Sequence, residues 1–143
     1  MRRRIVKINV KEVEYIAFRW AKELMTWNEP IPDFGSRFPN VLESCLGAPF
    51  QTFRGALYKR LAGKSAALFY LLVKNHPFEN GNKRIAVMTV LVFLAMNGKW
   101  LSVSNEGLYR IAVRVAESDA KQKDEYMKIL ESFFKESIIN FEG

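Results

Sequence analysis

The apolar run at residues 85–96 is the feature that most constrains the fold of this 143-residue chain. Thr89 is its one polar residue, so a helix over this run has no polar face to present to solvent. The run is too short to span a bilayer. It therefore predicts a buried central helix over residues 83–97, closed by Gly98 as its C-terminal cap, against which the rest of the chain must pack.

Apolar side chains recur at helical spacing in several other stretches. They predict an amphipathic helix over residues 13–25 and further helices over 41–46, 57–74, 105–117 and 121–138. A short extended lead-in is expected at residues 5–10, whereas prolines and glycine rule out a regular helix over 28–39. We therefore expect a mainly α protein with five or six helices, forming one domain over residues 1–143.

Residues 50–55 favour extended structure and lie between Pro49 and a closing glycine, Gly55. They predict a small β-hairpin. An open strand edge can accept the backbone of a protein substrate, but the same hairpin could simply be a surface turn that covers the core. The local sequence alone leaves both interpretations open.

Composition excludes several classes of function. One cysteine, Cys45, cannot form an internal disulfide, and one histidine is too few for a Cys/His zinc site, which suits a reducing cytoplasm. No secretory signal follows the basic start, so a soluble cytoplasmic protein without membrane contact is expected. The net charge of +7 is compatible with nucleotide or acidic partners. Direct binding of nucleic acid is not expected, because no stripe of Lys and Arg is interleaved with aromatic residues.

Chemistry-bearing residues are concentrated at residues 76–84, His-Pro-Phe-Glu-Asn-Gly-Asn-Lys-Arg. A helix that begins after a glycine turn presents unpaired N–H groups and a positive dipole to an anion. Lys83 and Arg84 add two cations there, which oppose the helix dipole unless an anion is present. His76, across the loop, is suited to take a proton from a hydroxyl. The stretch predicts a site for phosphate transfer.

This stretch resembles the signature of the Fic/Doc superfamily, H-x-F-x-[D/E]-G-N-x-R. The lysine before the arginine is similar to the Doc (death-on-curing) branch, whereas the Fic form has glycine there. The resemblance extends upstream through Leu42-Glu43-Ser44 and Gln51-Thr52-Phe53, and is best over residues 40–100. It implies a Fic/Doc fold and a toxin-type transferase, which moves a phosphoryl or AMP group from a nucleoside triphosphate to a protein hydroxyl.

The resemblance also implies a role for each matching residue. His76 corresponds to the catalytic general base and Phe78 to the aromatic residue that anchors the loop. Phosphate binding falls to Gly81 and Asn82, as an anion hole, and to the cations Lys83 and Arg84. The flap that aligns the target peptide would comprise Gln51, Thr52 and Phe53.

Two positions depart from the family pattern. The acidic metal ligand is replaced by Asn80, a neutral oxygen donor that we favour as the Mg²⁺ ligand, with the preceding carboxylate of Glu79 as the other candidate. Val87 stands where the Fic form has a second arginine. These departures leave open an alternative, a catalytically impaired module with the Fic fold that binds nucleotide or a partner.

Ligands and partners follow from the same resemblance. It implies ATP or another nucleoside triphosphate, with Mg²⁺, as the donor complex. The acceptor would be a hydroxyl side chain of a target protein, of which a translation factor is one candidate. An antitoxin protein would restrain the activity.

Overall fold

The computed structural model describes residues 4–24, 31–52, 55 and 57–141. The first helical segment comprises α1 (Val10–Glu12), a π-helical turn (Val13–Ala17) and α2 (Phe18–Leu24). The other helices are α3 (Pro39–Gly47), α4 (Arg60–Lys74), α5 (Asn82–Met96), α6 (Asn105–Glu117) and α7 (Lys123–Ser137). Strands β1 (Lys99–Leu101) and β2 (Ile138–Asn140) complete these elements, and short 3₁₀ turns cover Phe34–Ser36, Ala48–Phe50 and Ala120–Gln122. The fold is mainly α, as predicted.

Helix α5 is the central helix that the apolar run predicted. Every residue from 85 to 94 is buried, and α2, α4, α6 and β1 all pack against the helix. Burial of one large apolar side chain contributes about 1.5–3 kcal/mol, so this helix is a main source of the stability of the core. Among the described residues, no helix is both long and apolar enough to cross a membrane.

Capping and local contacts determine where the helices begin. Helix α6 has the predicted bounds, and Ser104 caps it by accepting a hydrogen bond from the N–H of Gly107 at 3.0 Å. Helix α4 begins at Arg60, later than the predicted residue 57. Arg60 has a left-handed φ of 61°, and the amino group of Lys64 donates to the carbonyl of Tyr58, so the chain turns sharply there before the regular helix begins.

The sheet of the structure was missed by the sequence prediction. Strands β1 and β2 pair antiparallel, with Trp100 opposite Ile139 and Leu101 opposite Ile138. The last helix therefore ends at Ser137, before the predicted residue 138. The hairpin predicted at residues 50–55 lies partly outside the described residues, at 53 and 54. Its described flanks approach each other, since the N–H of Leu57 donates to the carbonyl of Gln51 at 3.2 Å.

The extended lead-in predicted at residues 5–10 forms no strand. Val10 already belongs to α1, whose N-cap Asn9 accepts hydrogen bonds from the N–H groups of Lys11 and Glu12. The side chain of Glu12 accepts in turn from the N–H of Asn9 at 3.0 Å. This reciprocal capping box accounts for the early start of the helix.

Cys45 on α3 is only 1% exposed, and its thiol donates to the carbonyl of Leu71 at 3.5 Å. Burial raises the pKa of the Cys45 thiol from 9.0 to about 11, and the hydrogen bond from Asn75, which lowers it, offsets only part of this effect. Below pH 9 the thiol is protonated in both the folded and the unfolded chain. Between pH 9 and 11 only the unfolded chain loses the proton, so the folded state loses stability over this range as pH rises.

We expect Cys45 to react slowly with a thiol reagent in the native protein at pH 8. The raised pKa alone lowers the thiolate fraction roughly a hundredfold relative to an ordinary cysteine, and burial slows access further. The reaction with a chromogenic disulfide reagent should therefore be at least about a hundredfold faster in urea than in buffer. Equal rates in the two conditions would show that the thiol is accessible and its pKa ordinary.

Candidate active site

The candidate active site is the loop at residues 75–81, between α4 and α5. Asn75 forms the C-cap of α4, and the chain then turns through His76, whose φ of 50° lies in the left-handed region. The side chain of Phe78 is buried, whereas those of His76, Glu79 and Asn80 are exposed. The loop thus turns an apolar residue into the core and its chemistry-bearing side chains toward solvent.

Phe78 anchors the loop in an aromatic cluster. It is 1% exposed, and its ring centroid lies 5.7 Å from the ring centroids of both Phe18 and Phe34. The rings of Phe18 and Phe34 are themselves 5.2 Å apart in an edge-to-face arrangement. Ring pairs of this kind contribute about 0.5–1.5 kcal/mol beyond the burial of their area, so the cluster fixes the loop firmly against α2.

Asn82, the first residue of α5, holds the shape of the loop. Its side-chain oxygen accepts the N–H of Phe78 at 3.0 Å, and its side-chain nitrogen donates to the carbonyl of the same residue at 2.8 Å. The nitrogen also lies 3.4 Å from Nδ1 of His76. Asn82 is only 5% exposed, so its two hydrogen bonds with Phe78 are shielded from water and restrain the backbone around the anchor residue.

Gly81 permits the sharp entry into α5. Its φ of 76° is left-handed, which costs other residues about 1–2 kcal/mol, and it is the N-cap of the helix without a capping side chain. The N-terminal end of α5 therefore meets the loop, with half-buried Lys83 in its first turn. This end of the helix can bind an anion through backbone N–H groups and added positive charge.

Arg84 has a structural contact that sequence reasoning did not foresee. The residue is 5% exposed, and its Nη2 donates to the carbonyl of Ala21 on α2 at 2.7 Å. This hydrogen bond ties the start of α5 to the helix that carries Phe18. A guanidinium has five N–H groups, so contact with a phosphate would draw on groups other than the one given to Ala21.

The sequence model of the Fic/DOC family matches residues 9–94. That range covers more than half of the chain and includes the loop, α4 and nearly all of α5. The chain belongs to the Fic/DOC family. Members of this family are generally transferases of the AMP-transferring or phosphoryl-transferring type. The match begins 31 residues before the region 40–100 that carried the resemblance, and thus includes the first helical segment. Searches of curated proteins and of solved structures found no significant match.

The Fic/DOC loop meets a segment that the sequence did not single out, residues 33–38. The N–H of Phe38 donates to the carbonyl of Pro77 at 2.9 Å, and the ring of Phe34 contacts Phe78. Arg37 packs over the ring of Phe34, 4.4 Å from its centroid. Phe34 and Phe38 were the available sequence signal for this contact. Large aromatic side chains within a loop rich in glycine and proline indicate that the loop packs against another part of the protein.

The segment predicted as the target flap follows Phe50, which packs against α5. The ring of Phe50, next to Gln51, is 6.0 Å from the ring of Phe93, which is eleven residues beyond Asn82 on α5. At 1.5 Å per residue this is about 16 Å along the helix from the start of α5. Thr52 forms an isolated bridge, and Phe53 lies outside the described residues. Segment 33–38 borders the loop, and the role of Gln51, Thr52 and Phe53 as a flap for the target peptide stays a prediction.

Oxygen donors for a metal are present on the loop but few. Glu79 and Asn80 are exposed neighbours, and no cluster of three or more His, Cys, Asp or Glu residues occurs in the described ranges. Mg²⁺ is usually bound through one or two protein ligands together with phosphate oxygens and water. One carboxylate and one amide oxygen fit that mode of binding, in which the nucleotide supplies most of the ligands.

Proposed function

We propose that this protein is a Doc-like transferase that moves a phosphoryl or AMP group from a nucleoside triphosphate to a hydroxyl of a target protein. The observation that carries the proposal is the arrangement of the loop. It presents exposed His76 beside the N-terminal end of α5, on a backbone that Phe78 and Asn82 hold in place. Membership of the Fic/DOC family supports the same class of chemistry.

His76 would act as the general base. Its imidazole accepts the proton of the target hydroxyl while the oxygen attacks a phosphorus atom, and the leaving phosphate departs with the electrons of the broken P–O bond. Gly81, Asn82 and Lys83 lie at the helix end, where backbone N–H groups and positive charge can hold the phosphates. When bound, Mg²⁺, held through Asn80 or Glu79, would neutralise phosphate charge.

The Doc-like branch rests on Lys83, which stands where the Fic form has glycine. A lysine there adds bulk and charge in the first turn of α5, and so supports the changed nucleotide orientation that accompanies transfer of the terminal phosphoryl group. We accordingly favour phosphoryl over AMP transfer. We also propose a cytoplasmic target, with a translation factor as one candidate, and an antitoxin that restrains the enzyme.

Transfer from ATP with a radioactive phosphate at either the α or the γ position separates the two reactions. Protein and Mg²⁺-ATP are incubated with a cell lysate, and the labelled proteins are resolved on a gel. The proposal predicts label on a target from γ-labelled ATP and none from α-labelled ATP. Label from the α position alone would identify AMP transfer, and no label from either in lysates that contain competent targets would contradict a transferase.

The alternative of an impaired nucleotide-binding module is favoured by specific observations. Val87, at the position of the second Fic arginine, is fully buried in the apolar core, and Arg84 donates to Ala21. Neither feature prevents nucleotide from binding to the loop. Such a module would bind ATP without turnover.

Asn80→Asp tests whether the metal ligand limits activity. A carboxylate is a stronger ligand for Mg²⁺ than an amide, so we expect the substitution to raise transfer about tenfold at low Mg²⁺ and less at saturating Mg²⁺. The measurement is the initial rate of label transfer against Mg²⁺ concentration. Glu79→Gln is the matched control, since it removes the carboxylate of Glu79, the other candidate ligand for Mg²⁺. A larger loss in Glu79→Gln than gain in Asn80→Asp would assign the metal to Glu79.

A further inference from the structure

The orientation of the Asn82 amide is determined by its contacts. Its oxygen faces the N–H of Phe78 at 3.0 Å and its nitrogen faces the carbonyl of the same residue at 2.8 Å. Exchanging the two atoms would set donor against donor and acceptor against acceptor. The nitrogen therefore lies on the side that also faces His76.

The same nitrogen has a second N–H group and a second neighbour, the imidazole of His76. Nδ2 of Asn82 lies 3.4 Å from Nδ1 of His76. An amide nitrogen can only donate, so Nδ1 must offer its lone pair. Neutral His76 then carries its proton on Nε2.

We propose that Asn82 is a positioning residue that selects the Nε2-protonated tautomer of His76 and thereby makes Nδ1 the base nitrogen of this enzyme. In the nucleotide-free protein the lone pair of Nδ1 is engaged by Asn82 and Nε2 holds the proton, so neither nitrogen is ready to accept another. Asn82 thus keeps the base inactive in the nucleotide-free protein, a role that we call the gate, and it also holds the shape of the loop.

The catalytic consequence rests on the proposed function. A phosphate oxygen that accepts the N–H of Asn82 releases the lone pair of Nδ1. The O–H bond of the target hydroxyl then breaks and an Nδ1–H bond forms, which gives an imidazolium with protons on both nitrogens. The imidazolium returns its extra proton to water after transfer, and the Asn82 contact re-forms. The base is therefore competent only when phosphate is present.

His76 is the single histidine of the chain, so its imidazole signals in an NMR spectrum need no assignment. In the wild-type protein without nucleotide, we expect a through-space contact from the Asn82 side-chain amide protons to Hε1 of His76, because Hε1 adjoins Nδ1. A contact to Hδ2 in place of Hε1 would mean that the ring is turned over, and would overturn the proposal.

Asn82→Asp provides the tautomer test. A free imidazole in water also favours the proton on Nε2, so the wild-type ¹⁵N pattern alone is not decisive. The introduced carboxylate replaces the donor with an acceptor, and the ¹⁵N pattern of the neutral ring should invert to Nδ1–H. Asn80→Asp is the matched control, with the same charge change in the same loop, and should leave the wild-type pattern. An unchanged ¹⁵N pattern in Asn82→Asp would overturn the claim that Asn82 selects the tautomer of His76. If that variant does not fold, the contact between the Asn82 amide protons and Hε1 of His76 in the wild-type protein is the deciding observation.

Addition of Mg²⁺-ATP tests the gate in the wild-type protein. We expect the contact between Asn82 and Hε1 to disappear as the loop signals shift. Binding of ATP with the contact retained would overturn the gate but leave the transferase proposal intact. If neither ATP nor any of the other three nucleoside triphosphates binds, the gate and the proposed function both fail, whereas selection of the tautomer still stands on the spectrum recorded without nucleotide.

Discussion

His76→Ala is expected to lower the rate of group transfer by at least about 10²–10⁴-fold, the range that a positioned general base contributes. His76 carries the one imidazole of the chain, and it stands exposed beside the helix end that would hold the phosphates. Initial rates of label transfer from ATP to a target protein measure the effect. A rate within threefold of wild type would remove His76 from the mechanism.

A matched variant separates the loss of the base from strain in the backbone. His76 has a left-handed φ of 50°, which alanine adopts at a cost and asparagine tolerates better. We expect His76→Asn to retain the thermal stability of the wild type and yet to lose transfer as fully as His76→Ala. Nucleotide binding, followed by calorimetry, should persist in both variants, because neither removes a group assigned to the phosphates.

Phe78→Ala is expected to destabilise the protein by about 3–5 kcal/mol, the usual cost of removing a fully buried aromatic ring. The ring is 1% exposed and contacts Phe18 and Phe34, and its loss leaves a cavity between the loop and α2. Unfolding by urea, followed by circular dichroism, gives the change in free energy. Transfer should fall as well, since Asn82 holds the loop through the backbone of Phe78.

Phe38→Ala is the control for this substitution. Phe38 also borders the loop, through its backbone N–H to Pro77, but its side chain is 49% exposed. Truncating that side chain should change stability by no more than about 0.5 kcal/mol. Equal losses in Phe78→Ala and Phe38→Ala would contradict the assignment of Phe78 as the anchor.

The sequence predicted the central part of the fold well, because its strongest signals are local. An apolar run without a polar face can only be a buried helix, and α5 is buried as expected. A serine before an amphipathic repeat is an N-cap, and Ser104 caps α6 with the predicted bounds. Signals of this kind depend on the period of a helix and on unpaired N–H groups, both of which can be read without knowing the neighbours.

Long-range pairing was not predictable in the same way. Strands β1 and β2 are three residues each and meet across about forty residues of sequence, too short for their alternation to stand out. The contact of Arg84 with Ala21 spans 63 residues and connects two helices. The position of segment 33–38 against the loop depends on how α3 packs beside α4. Each depends on tertiary packing that local patterns do not encode.

Mass spectrometry of a lysate treated with Mg²⁺-ATP and either wild-type protein or the His76→Ala variant tests directly whether this protein is a transferase. A phosphoryl and an adenylyl adduct differ greatly in mass, so one spectrum identifies both the reaction and the modified residue. We expect a phosphoryl adduct on a Ser, Thr or Tyr of a target protein, present with wild type and absent with His76→Ala. An identical set of adducts in the two samples would contradict this expectation.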